Sequence, residues 1–189
     1  MPDDVQRAPR RDAIRNRERL LIAARQVFAE RGADVALEEV ARLAEVSRTT
    51  LYRHFTTREQ LAAAVFEENV ALIEHRAVEL RDADDGIVTL FGFVLDQQRA
   101  NRGFERLLSP ADLTWLTELS ARTIAAFEPL LARGRAAGTV RPMVVVDDVM
   151  LAFPMAAGAM ADSDLAGRPE AADRVRAMLF RALFTDAAG

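Results

Sequence analysis

Apolar residues return at every third or fourth position along most of this chain. Leu20, Leu21, Ala24, Val27 and Phe28 make one stripe; Leu37, Val40, Ala41 and Ala44 make a second; Ile87, Leu90, Phe91, Val94 and Leu95, followed by Gln98, make a third. That spacing gathers side chains on one side of an α-helix, whereas half-buried strands alternate with period two, and no region sustains such alternation. The pattern predicts an all-α fold.

Caps and breakers divide the pattern into elements. The first helix is expected from about Asn16, with Asp12 as a second candidate cap, to Gly32, a residue that takes the left-handed conformation ending many helices. A second spans Leu37 to Ala44 and a third Arg48 to Phe55. Thr56-Thr57-Arg58-Glu59 reads as a capping box, threonine and glutamate each satisfying the other's free amide, and opens a fourth helix that continues to about Arg81. The polar run 82–86 interrupts it. Ser109-Pro110-Ala111-Asp112 caps a helix through Leu113, Leu116 and Leu119 that Pro129 should kink or split. Ala137-Gly138 and Arg141-Pro142 mark a turn, and two last helices, about 147–161 and 170–184, flank a polar segment. The expected organisation is a flexible basic arm over 1–15, a three-helix head over 16–60 and a larger helical body over 61–186.

The stretch VSRTTLYRHF, residues 46–55, carries more polar donors than a helix needs for its own stability. On a helical wheel with Leu51 at the centre of the buried side, Phe55 falls beside it. Thr49 and Arg53 point nearly opposite, flanked by Tyr52 and Thr50. Only Glu45-Val46-Ser47 separates this helix from the one before, so the two must cross steeply, with Val46 filling the corner and Ser47 capping the second helix. That is a helix-turn-helix, and its second helix is narrow enough for a DNA major groove about 12 Å wide. Arg48 and Arg53 suit guanine acceptors or phosphate, and Thr49 and Thr50 offer a hydroxyl and a methyl suited to thymine. Tyr52 and His54 suit phosphates at the groove's edge, Arg58 adds charge beside the next helix's free amides, and Arg7, Arg10 and Arg11 are candidates for the neighbouring minor groove. The alternative is a solvated polar face on a small bundle, with Tyr52 half-buried and His54 bonded to the backbone. The steep turn, the narrow apolar face and the cationic outward face occurring together weigh against it.

Charge placement changes the picture more than net charge does. The chain of 189 residues has a formal net charge of −4, yet its first 58 residues hold 12 arginines against 9 acids. A local basic patch, rather than the overall balance, sets the field at a contact. Lysine and cysteine are absent, so disulfides, thiolate metal sites and cysteine nucleophiles are excluded, which fits a reducing cytoplasm. His54 and His75 stand too far apart in sequence for a helical metal-ligand pair, and no metal or other cofactor is expected. The most apolar run, VMLAFPMAAGAMA at 149–161, falls short of the roughly 20 residues that span a bilayer and reads as a buried helix. No membrane partner is expected.

With these residues in place, the sequence resembles the TetR family of bacterial transcriptional regulators. The resemblance rests on Arg17-Glu18-Arg19-Leu20-Leu21-Ile22-Ala23-Ala24, Val27-Phe28-Ala29-Glu30-Arg31-Gly32, Val40-Ala41, Val46 through Phe55, and Arg58-Glu59-Gln60-Leu61. It implies an all-α dimeric repressor with a DNA-binding head and a ligand-binding body, and it makes the last two helices the dimer interface. There Ala152, Ala156, Ala157 and Ala159 would allow close approach while Val175, Met178 and Leu179 supply bulk; for each of these the alternative is intramolecular core. Three positions depart from the family pattern. Val35-Ala36-Leu37-Glu38 lacks the usual threonine cap, Glu45 replaces a common glycine, and Arg58 stands where lysine is frequent. A left-handed Glu45 would carry strain of about 1 kcal/mol.

For the body, Phe91, Leu95, Phe104, Trp115, Phe127, Met150 and Phe153 are the candidate ligand-binding residues, with plain core as the alternative for each. Arg99, Arg102 and Arg106 are weaker candidates for an anion. A dimer would set its recognition helices into successive major grooves of a roughly palindromic operator, and an effector that binds two states unequally would release it through the fourth helix. An enzyme is not expected, because Glu67-Glu68 and Asp147-Asp148 are adjacent pairs that a helix points apart, and no nucleophile stands with a base. The remaining rival is a helical ligand-binding or protein-interaction module with a vestigial DNA-binding head.

Overall fold

The computed structural model describes residues 4–31, 35–100, 113–161 and 169–185. These residues form eight helices: α1 (Asp4–Arg31), α2 (Leu37–Leu43), α3 (Arg48–His54), α4 (Arg58–Leu80), α5 (Gly86–Ala100), α6 (Leu113–Ala137), α7 (Val146–Ala161) and α8 (Pro169–Leu183). The all-α expectation holds, with one isolated antiparallel bridge, Val140 to Phe184, among the described residues. They fall into two compact units, the division lying within α4 between Glu67 and Glu68.

The first unit closes around Leu20, Leu21, Ala24 and Phe28 of α1, Leu37, Val40 and Ala41 of α2, Leu51 of α3, and Leu61 and Val65 of α4. α1 begins at Asp4 rather than near Asn16, so the backbone expected as a flexible arm is helical from Asp4 onward. Its alanines, arginines and glutamine are good helix formers and no glycine interrupts them, although Pro9 within the extension is unfavourable to a helix.

The ends of α2 follow the expected departures. Ala36 sits at the N-cap, extended at φ −67° and ψ 139°, and supplies no side-chain bond. At the other end Glu45 is left-handed, with φ 52°. The Val46 N–H donates to Ala41 O at 3.0 Å and the Glu45 N–H to Arg42 O at 3.2 Å, which is a Schellman turn with glutamate where glycine is the strain-free residue. Arg19 bridges the Glu45 carboxylate at 2.7 Å.

The box at the start of α4 is shifted from its expected place. Thr57, not Thr56, is the cap: its hydroxyl accepts from the Gln60 N–H at 3.2 Å. Gln60 reaches back to Thr56, its Oε1 accepting from the Thr56 N–H at 3.0 Å and hydroxyl at 2.9 Å, while the Glu59 carboxylate takes a bond from the Thr57 side chain. Threonine at 57 followed three residues later by glutamine satisfies the box as well as the pair one step earlier, with Leu61 fully buried at the next position.

The second unit packs α5, α6, α7 and α8 around Phe91, whose ring lies 5.2 Å from Phe153, 5.3 Å from Phe180 and 5.4 Å from Phe184. Gly86 opens α5 because a Cβ there would stand 2.5 Å from the Leu80 carbonyl oxygen. Pro129 does not split α6; it and Ala125, whose carbonyl loses its helical partner, both lie on the exposed side. The expected cap at 109–112 lies outside the described residues. Gly138 ends α6 with φ 77°. Beyond it the chain is sewn to the end of α8: the Arg141 N–H donates to Leu183 O and the Thr185 N–H to Thr139 O, each at 3.0 Å.

Candidate nucleic-acid interface

The orientation of α3 is set by its two ends and one inward residue. Ser47 caps it, its hydroxyl oxygen accepting from the Thr50 N–H at 3.1 Å. Leu51 is fully buried and Phe55 nearly so. With that side fixed, Thr49 and Arg53 are exposed, as the wheel places them, together with Ser47 and Arg48. Thr50, His54 and Arg58 are half-buried, and Tyr52 stands 40% exposed. The eight expected contact residues therefore share one short region of the first unit. The hydroxyls of Ser47 and Thr50 lie 2.9 Å apart and already serve one another. Arg11 is exposed on α1, while the side chains of Arg7 and Arg10 lie outside the described ones.

Glu38, at the start of α2, was not among the expected site residues. Its Oε1 accepts from the Arg48 guanidinium at 2.6 Å and from the Tyr52 hydroxyl at 3.0 Å. Its own backbone N–H, then Tyr52, then Arg48 hold this carboxyl below the usual carboxylate range. Two outward donors of α3 thus share one acceptor inside the same face. Local spacing does not reveal the contact, because it crosses the turn between helices; the packing of α3 back onto α2 brings these residues together.

His54 is pulled the other way from an ordinary surface histidine. Burial and the nearby charges of Arg53 and Arg17 push its pKa down. The Arg17 guanidinium sits 5.7 Å from the centroid of the Phe55 ring, so cationic charge surrounds the imidazole.

In the second unit, the expected ligand residues Phe91, Leu95, Phe127 and Phe153 are buried in the core, with Phe127 5.7 Å from Phe153, and Met150 packs against them. Trp115 is half-buried in the first turn of α6, and Phe104 lies outside the described residues. Leu95 also lines a small cleft of about 30 Å³ with Asp96, Arg99, Ala156, Val175 and Arg176. Arg99 there pairs with Asp173 at 3.6 Å and Arg176 with Asp96 at 2.8 Å, which gives Arg99 a partner within the protein. Arg102 and Arg106 lie outside the described residues.

Comparison with known proteins bears on this face directly. Residues 20–65, which hold α2, α3 and most of the first unit's core, match the family described as bacterial regulatory proteins, tetR family. The whole chain is similar to a crystallised TetR transcription regulatory protein from Mycobacterium vanbaalenii, with TM-score 0.70 and 28% identity over 93% of this chain and 99% of that one. The head is thus that of the TetR family, and the chain shares the fold of TetR-family regulators. A TetR transcriptional regulator from Streptomyces coelicolor gives TM-score 0.69 and 26% identity, covering 90% of this chain and 99% of that one. A 55-residue stretch of the chain is also 44% identical to the HTH-type transcriptional activator FasR of Mycolicibacterium smegmatis. That stretch is 29% of this chain and only 25% of FasR. As in other TetR-family regulators, the head is a DNA-binding helix-turn-helix.

Proposed function

We propose that this chain acts as a homodimer whose two α3 helices enter successive major grooves of a two-fold-symmetric operator, repressing transcription by occupying promoter DNA. The observation that carries the reading is the split of α3 into a buried edge, Leu51 with Phe55 behind it, and an outward edge bearing Thr49, Tyr52 and Arg53. Arg48 and Arg53 address guanine or phosphate, Thr49 and Thr50 thymine, and Tyr52, His54 and Arg58 phosphate, with Ser47 at the helix head. Leu151, Met155 and Met178 support the dimer: they lie on the last two helices and are 59%, 63% and 62% exposed, more than large apolar side chains on a monomer's surface would favour as a group. Ala152 and Ala156, by contrast, face the core of their own unit.

A small-molecule effector in the body completes the proposal. An effector that binds the DNA-competent and released states unequally would couple its own binding to DNA release. Activation is the second reading, favoured by the 55-residue likeness to the activator FasR. The head alone does not decide between them, since both need the same groove contact, and the position of the operator relative to the promoter sets the sign. Footprinting on DNA around the chain's own gene, followed by a promoter–reporter assay, tests both. Protection of paired half-sites with higher reporter output on deletion supports repression; lower output supports activation; no protection removes the DNA reading.

A further inference from the structure

We propose that Glu38 is a built-in competitor for DNA, a carboxylate that holds Arg48 and Tyr52 within the head so that sequence-independent binding must first break both contacts. The inference rests on the DNA-binding reading above and adds a regulator of that same face. Arg48 donates to Glu38 at 2.6 Å and Tyr52 at 3.0 Å, both to the same oxygen. A phosphate oxygen offers these donors the same chemistry, a charged acceptor able to take more than one hydrogen bond. Arg48 nevertheless keeps most of its side chain, 73%, in solvent. The contacts are therefore reachable from outside and are exchanged rather than dismantled when a polyanion arrives.

Glu38 is also held in place for this role. It stands in the first turn of α2, Leu37 beside it is buried, and its carboxylate takes a bond from its own backbone N–H. Its charge consequently stays at the DNA-facing edge after Arg48 leaves, where it repels phosphate as well as releasing a donor to it. Non-specific affinity comes almost wholly from phosphate neutralisation, so a fixed carboxylate weighs most heavily on that binding. The other acids of α2 and the turn are committed elsewhere: Glu39 pairs with Arg31 and Arg42, and Glu45 with Arg19.

The experiment compares the full chain with Glu38→Gln and Glu38→Asp on a mixed-sequence 30-base-pair duplex, by fluorescence anisotropy at several salt concentrations. Glu38→Gln keeps a hydrogen-bond acceptor but removes the charge. It is expected to bind roughly threefold to tenfold tighter at low salt, and its plot of log affinity against log salt should steepen by about 0.9, the signature of one more phosphate engaged. Glu38→Asp keeps the charge on a shorter arm and should bind no tighter than the parent unless Arg48 is freed. A merely structural Glu38 would lower thermal stability in Glu38→Gln without steepening the slope. An unchanged or shallower slope with unchanged or weaker affinity overturns the competitor role. If the parent chain itself fails to bind the duplex even at low salt, the DNA-binding reading fails instead, and the competitor role with it.

Discussion

Glu45 and Gly138 occupy the same position in two Schellman turns, one ending α2 and the other ending α6, with φ of 52° and 77°. In each turn the following residue's N–H reaches back five positions, Val46 to Ala41 and Thr139 to Gly134. Glycine takes this conformation freely and glutamate does not. Glu45→Gly is accordingly expected to stabilise the head by up to about 1 kcal/mol, since the exposed bridge to Arg19 that it removes contributes little. Chemical denaturation of the two proteins side by side checks this, and a destabilised variant would mean that Arg19 holds the turn more firmly than its exposure suggests.

Arg53 is the cleanest single test of the recognition surface, being outward, whereas Arg48 and Tyr52 donate to Glu38. Arg53→Ala should weaken operator binding about tenfold or more while leaving the melting temperature nearly unchanged, because exposed positions away from caps and cores shift stability by about 0.5 kcal/mol or less. Equal affinity of the two proteins for the footprinted fragment would take Arg53 off the contact surface.

The low pKa of His54 has consequences of opposite sign in the free and bound states. In the free protein, burial and the charges of Arg53 and Arg17 favour the neutral ring, so the unfolded chain binds the proton more readily. Stability should therefore fall as pH drops through the ordinary histidine pKa, about 6.5, toward the depressed folded value, and level off below it. A DNA phosphate beside the ring reverses the balance. Operator affinity should rise between pH 8 and pH 6, and His54→Gln should flatten that profile; a profile identical in both proteins would place His54 away from phosphate.

Leu151 and Met155 lie one helical turn apart on the exposed side of α7. Replacing both by glutamate should leave the helical content intact and shift sedimentation from dimer to monomer, since paired buried carboxylates are strongly unfavourable across a symmetric interface. A parent chain that sediments as a monomer, or a variant that remains a dimer, would move the interface elsewhere.

What the sequence made legible were features governed by local rules. Period-3.6 stripes placed the helices, Leu51 and Phe55 set the inward edge of α3, and the missing threonine cap in 35–38 and the unusual Glu45 marked both ends of α2 as departures. Features that depend on competition between neighbouring solutions were harder. Two overlapping Thr-to-acid or Thr-to-amide boxes exist at the head of α4, and the motif alone does not choose between them. Likewise the aromatic positions proposed for a ligand, Phe91, Phe127 and Phe153, have the spacing of core residues, and in this state they fill the second unit's interior against one another. Glu38 lay beyond reach because its partners belong to the next helix.

The stitching of Leu183 and Thr185 onto the connection between α6 and α7 gives residues 181–185 a mechanical job. The Arg141 side chain adds a bond to Arg181 O at 2.8 Å and the Thr185 hydroxyl one to Gly138 O at 2.8 Å. These fasteners couple the tail to the loop from which α7 springs, so the two helices that carry Leu151, Met155 and Met178 are braced as a pair, and tugging on either end would be felt at the other.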